Sequence, residues 1–167
     1  NRGIHLSRYD ITMAYMVFGG IPYYLNYIDA QYSLSQNIDN LFFKNNAKLK
    51  LEFDRLFRST FTYSEKAKEI VKLLYANSVG FTKKEIAART KIAEGGTLTN
   101  YLNGLLASDF IVKYVPFGYS KREVYYKLVD PFCLFYLNFC QSNVENENYF
   151  SENISNSKMH ACACFSF

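Results

Sequence analysis

The chain has 167 residues, of which 49% are apolar and 18% aromatic, and its formal net charge is +4. This length and apolar content provide the core of one domain or of two small ones, which excludes a wholly disordered protein. No apolar run approaches the ~20 residues of a membrane span, and the first residues lack the pattern of a secretory signal.

The four cysteines all lie in the last third of the chain, at Cys133, Cys140, Cys162 and Cys164. A disulfide-stabilised secreted protein would distribute its cysteines more widely, so we expect reduced thiols and a cytoplasmic protein. His160, Cys162 and Cys164 offer three soft ligands in one short segment. A structural zinc site needs four ligands, usually with two residues between cysteines, so we predict no metal site.

Several enzyme classes are disfavoured by missing motifs. The chain has no GxxxxGK[ST] phosphate loop, no GxGxxG motif and no GxSxG elbow. Its two histidines, His5 and His160, stand at opposite ends, which argues against a histidine-based catalytic site. The chain begins without Met and stops at Phe167 in an apolar run, so we expect a piece of a longer protein that is not itself an enzyme.

Residues 1–62 predict four helices and no strand, as in a small helical bundle. Ser7 is placed to cap the first helix, and Gly19-Gly20 ends it. Pro22 then occupies a first helical position, where its missing N–H costs nothing. Ser35 is predicted to cap the third helix. A fourth helix is predicted from an apolar stripe at Leu49, Phe53, Leu56 and Phe57.

Residues 63–130 have the element order of a winged helix, with three helices followed by a β-hairpin. Thr82 and Glu85 have the spacing of a capping box at the start of the second helix. The third helix is predicted to turn three leucines inward: Leu98, Leu102 and Leu105. Two runs rich in β-branched and aromatic residues, 110–115 and 124–129, predict the strands of the hairpin.

Residues 131–167 are predicted to hold an apolar helix, a linker and the truncated start of a C-terminal domain. The helix after Pro131 is apolar on nearly every side, so it must be buried in this chain or against a partner such as a second copy. Residues 141–158 are rich in Asn, Ser and Glu, which predicts a flexible linker. The predicted fold class is therefore mainly α, a small helical bundle followed by a winged helix-turn-helix with a β-hairpin wing.

The predicted winged helix offers polar side chains for contact with double-stranded DNA, through its third helix in the major groove and its wing on phosphate. The candidates are Thr97, Thr99, Asn100 and Asn103 on the third helix, Lys121 and Arg122 on the wing, and Lys83, Lys84 and Lys91 for backbone contacts. Two features argue against strong binding: the third helix has no Lys or Arg, and residues 64–130 carry a net charge of only +4 with seven acidic residues. Winged helices also serve as protein-packing modules, so both functions remain open.

Five tyrosines could stack on bases: Tyr23, Tyr24, Tyr27, Tyr125 and Tyr126. Such residues more often pack at the rim of a core or between domains, with the ring covered and the hydroxyl in water. We therefore predict a packing role for them.

Four short segments occur in a recognisable order: Gly19-Gly20-Ile21-Pro22-Tyr23-Tyr24-Leu25, Ser108-Asp109-Phe110-Ile111, Pro116-Phe117-Gly118 and Asp130-Pro131-Phe132. In order and spacing the chain resembles, over most of residues 6–140, the region behind the ATPase core of the archaeal-type AAA-like ATPase family of archaea and Bacteroides. Near its end the chain departs from that family. Cys162 and Cys164 stand where relatives have an aromatic residue and a glycine, and the chain stops at Phe167, before the Glu of the Phe-Glu pair that follows in relatives. The sequence therefore gives no support for a nuclease role of this chain.

The resemblance implies that the chain holds the helical lid and the winged helix of a larger P-loop ATPase, without the ATPase core and the C-terminal domain. ATP and magnesium would bind to that core, so no cofactor is expected in this chain. Gly19, Gly20 and Pro22 would lie near the nucleotide, although the same turn could simply join two helices. The predicted function is a regulatory module that relays nucleotide state to DNA or to the C-terminal domain. The alternative is an autonomous protein-interaction module, dimerising through the apolar helix after Pro131, that binds neither.

Overall fold

A computed structural model gives the fold and describes residues 7–119, 123–141 and 146–154. They form two compact units: the first combines the residues up to Phe53 with those from Pro131 onward, and the second is Asp54–Asp130. The described part is mainly helical and contains a three-stranded antiparallel sheet. Within it, no helix combines the length and the apolar character that crossing a membrane requires.

Most of the described elements are helices, and the three strands all lie in the second unit. In chain order they are α1 (Arg8–Phe18), α2 (Pro22–Leu25), α3 (Leu34–Ile38), α4 (Glu52–Thr60), α5 (Ser64–Tyr75), β1 (Phe81–Thr82), α6 (Lys83–Thr90), α7 (Gly96–Ala107), β2 (Ile111–Tyr114), β3 (Tyr125–Leu128), α8 (Pro131–Phe135) and α9 (Tyr149–Asn153). Two π-helical turns, Asp39–Phe43 and Tyr136–Cys140, directly continue α3 and α8.

The boundaries of the units differ from those expected from the sequence, which were 1–62, 63–130 and 131–167. The first boundary lies between Phe53 and Asp54, inside α4, because Phe53 packs with the first unit. The described residues after Pro131 are part of the first unit rather than a separate segment.

The predicted ends of α1 and the predicted start of α2 are confirmed. Ser7 and Asp10 form a capping box, in which each side chain accepts a hydrogen bond from the other residue's backbone N–H at 3.1 Å. Gly19 ends the helix in the left-handed conformation, with φ +63°, and Pro22 opens α2.

The predicted cap of the third helix was wrong. Ser33 caps α3, and its hydroxyl accepts from the N–H of Gln36 while the Gln36 side chain accepts from the N–H of Ser33. Ser35 lies inside the helix. The physical reason is the spacing, because only Ser33 has a Gln or Glu three residues later to complete the box.

The apolar helix after Pro131 is buried in its own chain. Phe132 packs against Tyr24 with ring centroids 5.3 Å apart, and Phe135 packs against Phe42 at 5.0 Å. Phe132 and Phe135 are both buried. The predicted dimerisation through this helix therefore loses its basis, because the first unit already covers the apolar surface that it required.

Part of the predicted linker is helical. Residues 149–153 form α9, and Phe150 is completely buried in the first unit. The buried Asp39 carboxylate accepts hydrogen bonds from the backbone N–H groups of Phe150 at 2.7 Å and Ser151 at 3.0 Å. The Asn- and Ser-rich composition conceals this element, because its contacts come from two aromatic side chains and one distant carboxylate. The Tyr149 ring also packs against Phe43, with centroids 5.4 Å apart. Residues 142–145 and 155–158 of the predicted linker lie outside the described residues.

The second unit contains the predicted hairpin and one strand that the sequence did not indicate. The strand order is β1-β3-β2, with Ile111 opposite Leu128 and Tyr114 opposite Tyr125. The two-residue strand β1 pairs with β3 and is too short to show an alternating pattern. The three predicted leucines of α7 are buried: Leu98, Leu102 and Leu105. The predicted capping box of Thr82 and Glu85 is confirmed at the start of α6.

Candidate nucleic-acid interface

Five of the candidate residues on or next to α6 and α7 are exposed, and two others are hydrogen-bonded to each other. The exposed set consists of Lys84, Lys91, Thr97, Asn100 and Asn103. Lys83 and Thr99 are half-buried, and the Lys83 Nζ donates to Thr99 Oγ1 at 2.8 Å. This pair links α6 to α7, so both side chains already have a partner. Lys121 and Arg122 lie outside the described residues.

The exposed face of α7 presents hydroxyls and amides but no positive charge. Two of the exposed candidate cations belong to the α6 region, where Lys84 lies in the first turn and Lys91 follows the last turn in the left-handed conformation. Arg89 of α6 places its guanidinium over the ring of Phe81, 4.7 Å from the centroid. If α7 entered the major groove of DNA, it would therefore offer no arginine, the side chain that most often recognises guanine.

The outer face of the hairpin carries a row of tyrosines. Tyr114 and Tyr125 are directly opposite in register, so they share one face of the sheet, with ring centroids 6.3 Å apart. Tyr119 packs edge-on against Tyr125 at 5.9 Å, and the Tyr114 hydroxyl donates to the carbonyl of Val79. Burial, and then the neighbouring Tyr119 and Glu85, raise the pKa of Tyr125, which keeps its phenol neutral. Val112 and Lys127 continue the same face along the strands.

The tip of the hairpin exposes apolar side chains that sequence reasoning did not assign to the site. Phe117 is fully exposed, and Tyr119 retains 54% of its surface. The turn residues in the sequence could have indicated that these side chains are exposed. Pro116 and Gly118 flank Phe117, and a ring placed between two turn-forming residues has no strand neighbour to cover it.

The five tyrosines considered from the sequence lie in different surroundings. Tyr24 is buried and its hydroxyl donates to Glu52 at 3.1 Å, whereas Tyr27 donates to the hydroxyl of Tyr23 at 2.6 Å. Tyr126 is half-buried on the same sheet face as Ile111 and Leu128, and burial raises its pKa. Packing therefore accounts for Tyr24 and Tyr126, as predicted, while Tyr125 belongs to the tyrosine row on the opposite face.

The glycine-proline turn of the first unit lies at the surface. Gly19 and Gly20 both have positive φ, and Gly20 and Pro22 are exposed. A Cβ atom on Gly20 would lie 3.1 Å from the ring of Tyr15, which covers one side of the turn. The turn is thus accessible from solvent.

No group of three His, Cys, Asp or Glu side chains within residues 7–119, 123–141 and 146–154 is arranged to hold a metal ion. His160, Cys162 and Cys164 fall outside these ranges. Cys133 is buried, and burial raises the pKa of the Cys140 thiol well above its ordinary value, which makes it a poor nucleophile.

No protein-family model matches this chain, and neither the curated proteins nor the solved structures contain a match.

Proposed function

We propose that residues 54–130 form a winged helix that contacts nucleic acid, and that residues 7–53 and 131–154 form the helical lid of a larger ATPase. In this proposal the lid responds to nucleotide bound elsewhere in the longer protein. The winged helix relays that response to DNA or to a C-terminal domain.

The observation that carries the proposal is the order of elements in the second unit. A helix, a short strand, two helices and a hairpin follow one another, and the short strand joins the hairpin in the order β1-β3-β2. In helix-turn-helix proteins the last helix of such a unit is the one presented to the groove. The exposed Thr97, Asn100 and Asn103 of α7 are suited to hydrogen bonding there.

Binding of duplex DNA is tested by fluorescence anisotropy with a labelled duplex at increasing salt. Because each phosphate contact adds about 0.9 to the slope of log affinity against log salt, a unit with few exposed lysines should give a shallow slope and weak affinity. The Lys84→Glu variant should weaken binding. The matched control Lys72→Glu makes the same charge change on α5 and should have a smaller effect. Unchanged anisotropy at low salt and high protein concentration would overturn the DNA part of the proposal.

The ATPase part is tested by the reading frame that encodes the chain. The proposal requires a GxxxxGK[ST] phosphate loop in the same frame on the N-terminal side, because Gly20 and Pro22 respond to nucleotide only if another domain binds it. A stop codon in that position would overturn this part.

A second candidate is a protein-interaction module, favoured by the absence of Lys and Arg from α7 and by the exposed Phe117 and Tyr119. It predicts that neither a duplex nor a single strand binds at any salt concentration, so the same titration, carried out with each of them, distinguishes the two candidates.

A further inference from the structure

We infer that the β2–β3 hairpin, rather than α7, is the principal nucleic-acid contact, and that it binds single strands by stacking unpaired bases on Phe117 and Tyr119. The inference deepens the proposed function and rests on its claim that the second unit binds nucleic acid. It names the kind of nucleic acid and the side chains that recognise it.

The first step is the exposure of the two rings. Phe117 is fully exposed and Tyr119 is more than half exposed, so both present ring surface to solvent. Stacking on an exposed aromatic ring suits every base, because each base has a π-face, and it strengthens binding roughly 5- to 150-fold per base.

The second step is the support of the Tyr119 ring. Tyr119 contacts Tyr125 edge-on at 5.9 Å, and Tyr125 lies beside Tyr114, whose hydroxyl donates to the Val79 carbonyl. The row is therefore anchored to the segment before β1. A stacking surface that is already ordered loses less conformational entropy on binding than a mobile one.

The third step is charge. Among its described residues the hairpin has two basic side chains, Lys113 and Lys127, and one acidic side chain, Glu123, whereas residues 96–107 contain none of either sign. Lys127 lies on the same sheet face as Tyr114 and Tyr125. Aromatic rings interleaved with positive charge complement a phosphate backbone with bases beside it, and they fit an apolar protein partner less well.

The fourth step is the reason that a single strand should bind better than a duplex. In a duplex each base is stacked between its neighbours, so an external ring gains a base face only by unstacking a step. Unpaired bases offer that face without this cost. Because α7 also lacks the cations that would hold it in a groove, the single strand is the better partner.

The absence of tryptophan from the chain permits a direct test of stacking. Phe117→Trp introduces a single reporter at the hairpin tip, and Tyr63→Trp introduces one at a position that is 72% exposed in the same unit but outside the hairpin. The full chain is titrated with an oligothymidylate of about 20 nucleotides, longer than common site sizes. We expect saturable quenching of the reporter at position 117 and little at position 63. Equal quenching at both positions, or none at either, would overturn the inference.

Affinity measurements separate failure of the inference from failure of the proposed function. Phe117→Ala should weaken single-strand binding roughly 5- to 150-fold with an unchanged circular dichroism spectrum, because a fully exposed ring contributes little to the fold, and Tyr63→Ala should have no effect. If a duplex of equal length binds as tightly as the single strand and Phe117→Ala changes neither affinity, the inference is wrong and the proposed function stands. If neither nucleic acid binds at low salt, both are wrong.

Discussion

Gly80 is a single residue on which the geometry of the sheet depends. Its φ is +86°, in the left-handed region that favours glycine, and it precedes the short strand β1. A Cβ atom at this position would lie 2.8 Å from the carbonyl carbon of Tyr126 and would overlap its oxygen. The close approach of the two backbones therefore requires the absence of a side chain.

Gly80→Ala should lower the free energy of unfolding by about 2–5 kcal/mol, because left-handed strain adds to a backbone clash. The matched control is Gly118→Ala. Gly118 has nearly the same φ, +85°, but a methyl group added there would meet no atom within 4 Å, so only the strain of about 1–2 kcal/mol is expected. Urea denaturation of both variants measures the difference. Equal losses would show that the clash with Tyr126 does not determine the effect.

At the scale of the element, the start of α6 couples stability to pH. The Glu85 carboxylate accepts hydrogen bonds from the backbone N–H of Thr82 at 2.8 Å and from its hydroxyl at 2.7 Å. These two bonds, with a smaller contribution from Arg89, lower the pKa of Glu85 below its ordinary value of 4.5. The unfolded chain therefore binds more protons at this group than the folded chain does in the acid range.

The stabilisation from Glu85 should be complete above its unfolded pKa and should be lost as the pH falls through the lower folded pKa. Glu85→Gln keeps an acceptor for Thr82 but cannot titrate. The difference in unfolding free energy between the natural chain and this variant should therefore shrink on acidification, as urea denaturation at a series of pH values would measure. Thr82→Ala should cost about 1 kcal/mol at neutral pH, because it removes the cap. Parallel pH profiles for the natural chain and Glu85→Gln would contradict this account.

At the scale of the whole molecule, the two units differ in how the chain forms them. The second unit is one continuous stretch, Asp54–Asp130, whose core includes the stacked rings of Phe57 and Phe110, with centroids 5.1 Å apart. The first unit is built from two segments separated by the whole of the second. Its aromatic core needs residues from both segments, as the contact of Phe42 with Phe135 shows.

A protein consisting of residues 54–130 alone should therefore show a cooperative thermal transition by circular dichroism, because its core is contained in one stretch. Residues 7–53 alone should not, since they lack the rings of Phe132, Phe135 and Phe150 that are buried in the first unit. The full chain serves as the reference. Cooperative folding of residues 7–53 in isolation would contradict the proposed dependence on the later segment.

The candidate interface was predictable only in part. The exposure of Asn100 and Asn103 follows from helical periodicity once Leu98, Leu102 and Leu105 are assigned to the core. The pairing of Lys83 with Thr99 does not follow from the sequence, because it depends on how α6 and α7 pack together.

The amino-acid sequence by itself determined the features that depend on neighbours within about four positions. The cap of α1 at Ser7, its end at Gly19 and the capping box of Thr82 and Glu85 belong to this group. Their hydrogen bonds and periodicity are local, so they can be derived without a tertiary structure.

Only the tertiary structure decided the features that depend on residues far apart in the chain. The strand β1 exists because β3 offers it a partner, and α9 is held by the carboxylate of Asp39, more than a hundred residues earlier. The same structure decided that the apolar helix after Pro131 is covered while the ring of Phe117 remains in solvent. Burial depends on which surfaces, distant in the sequence, pack against each other, and the local sequence pattern does not specify that packing.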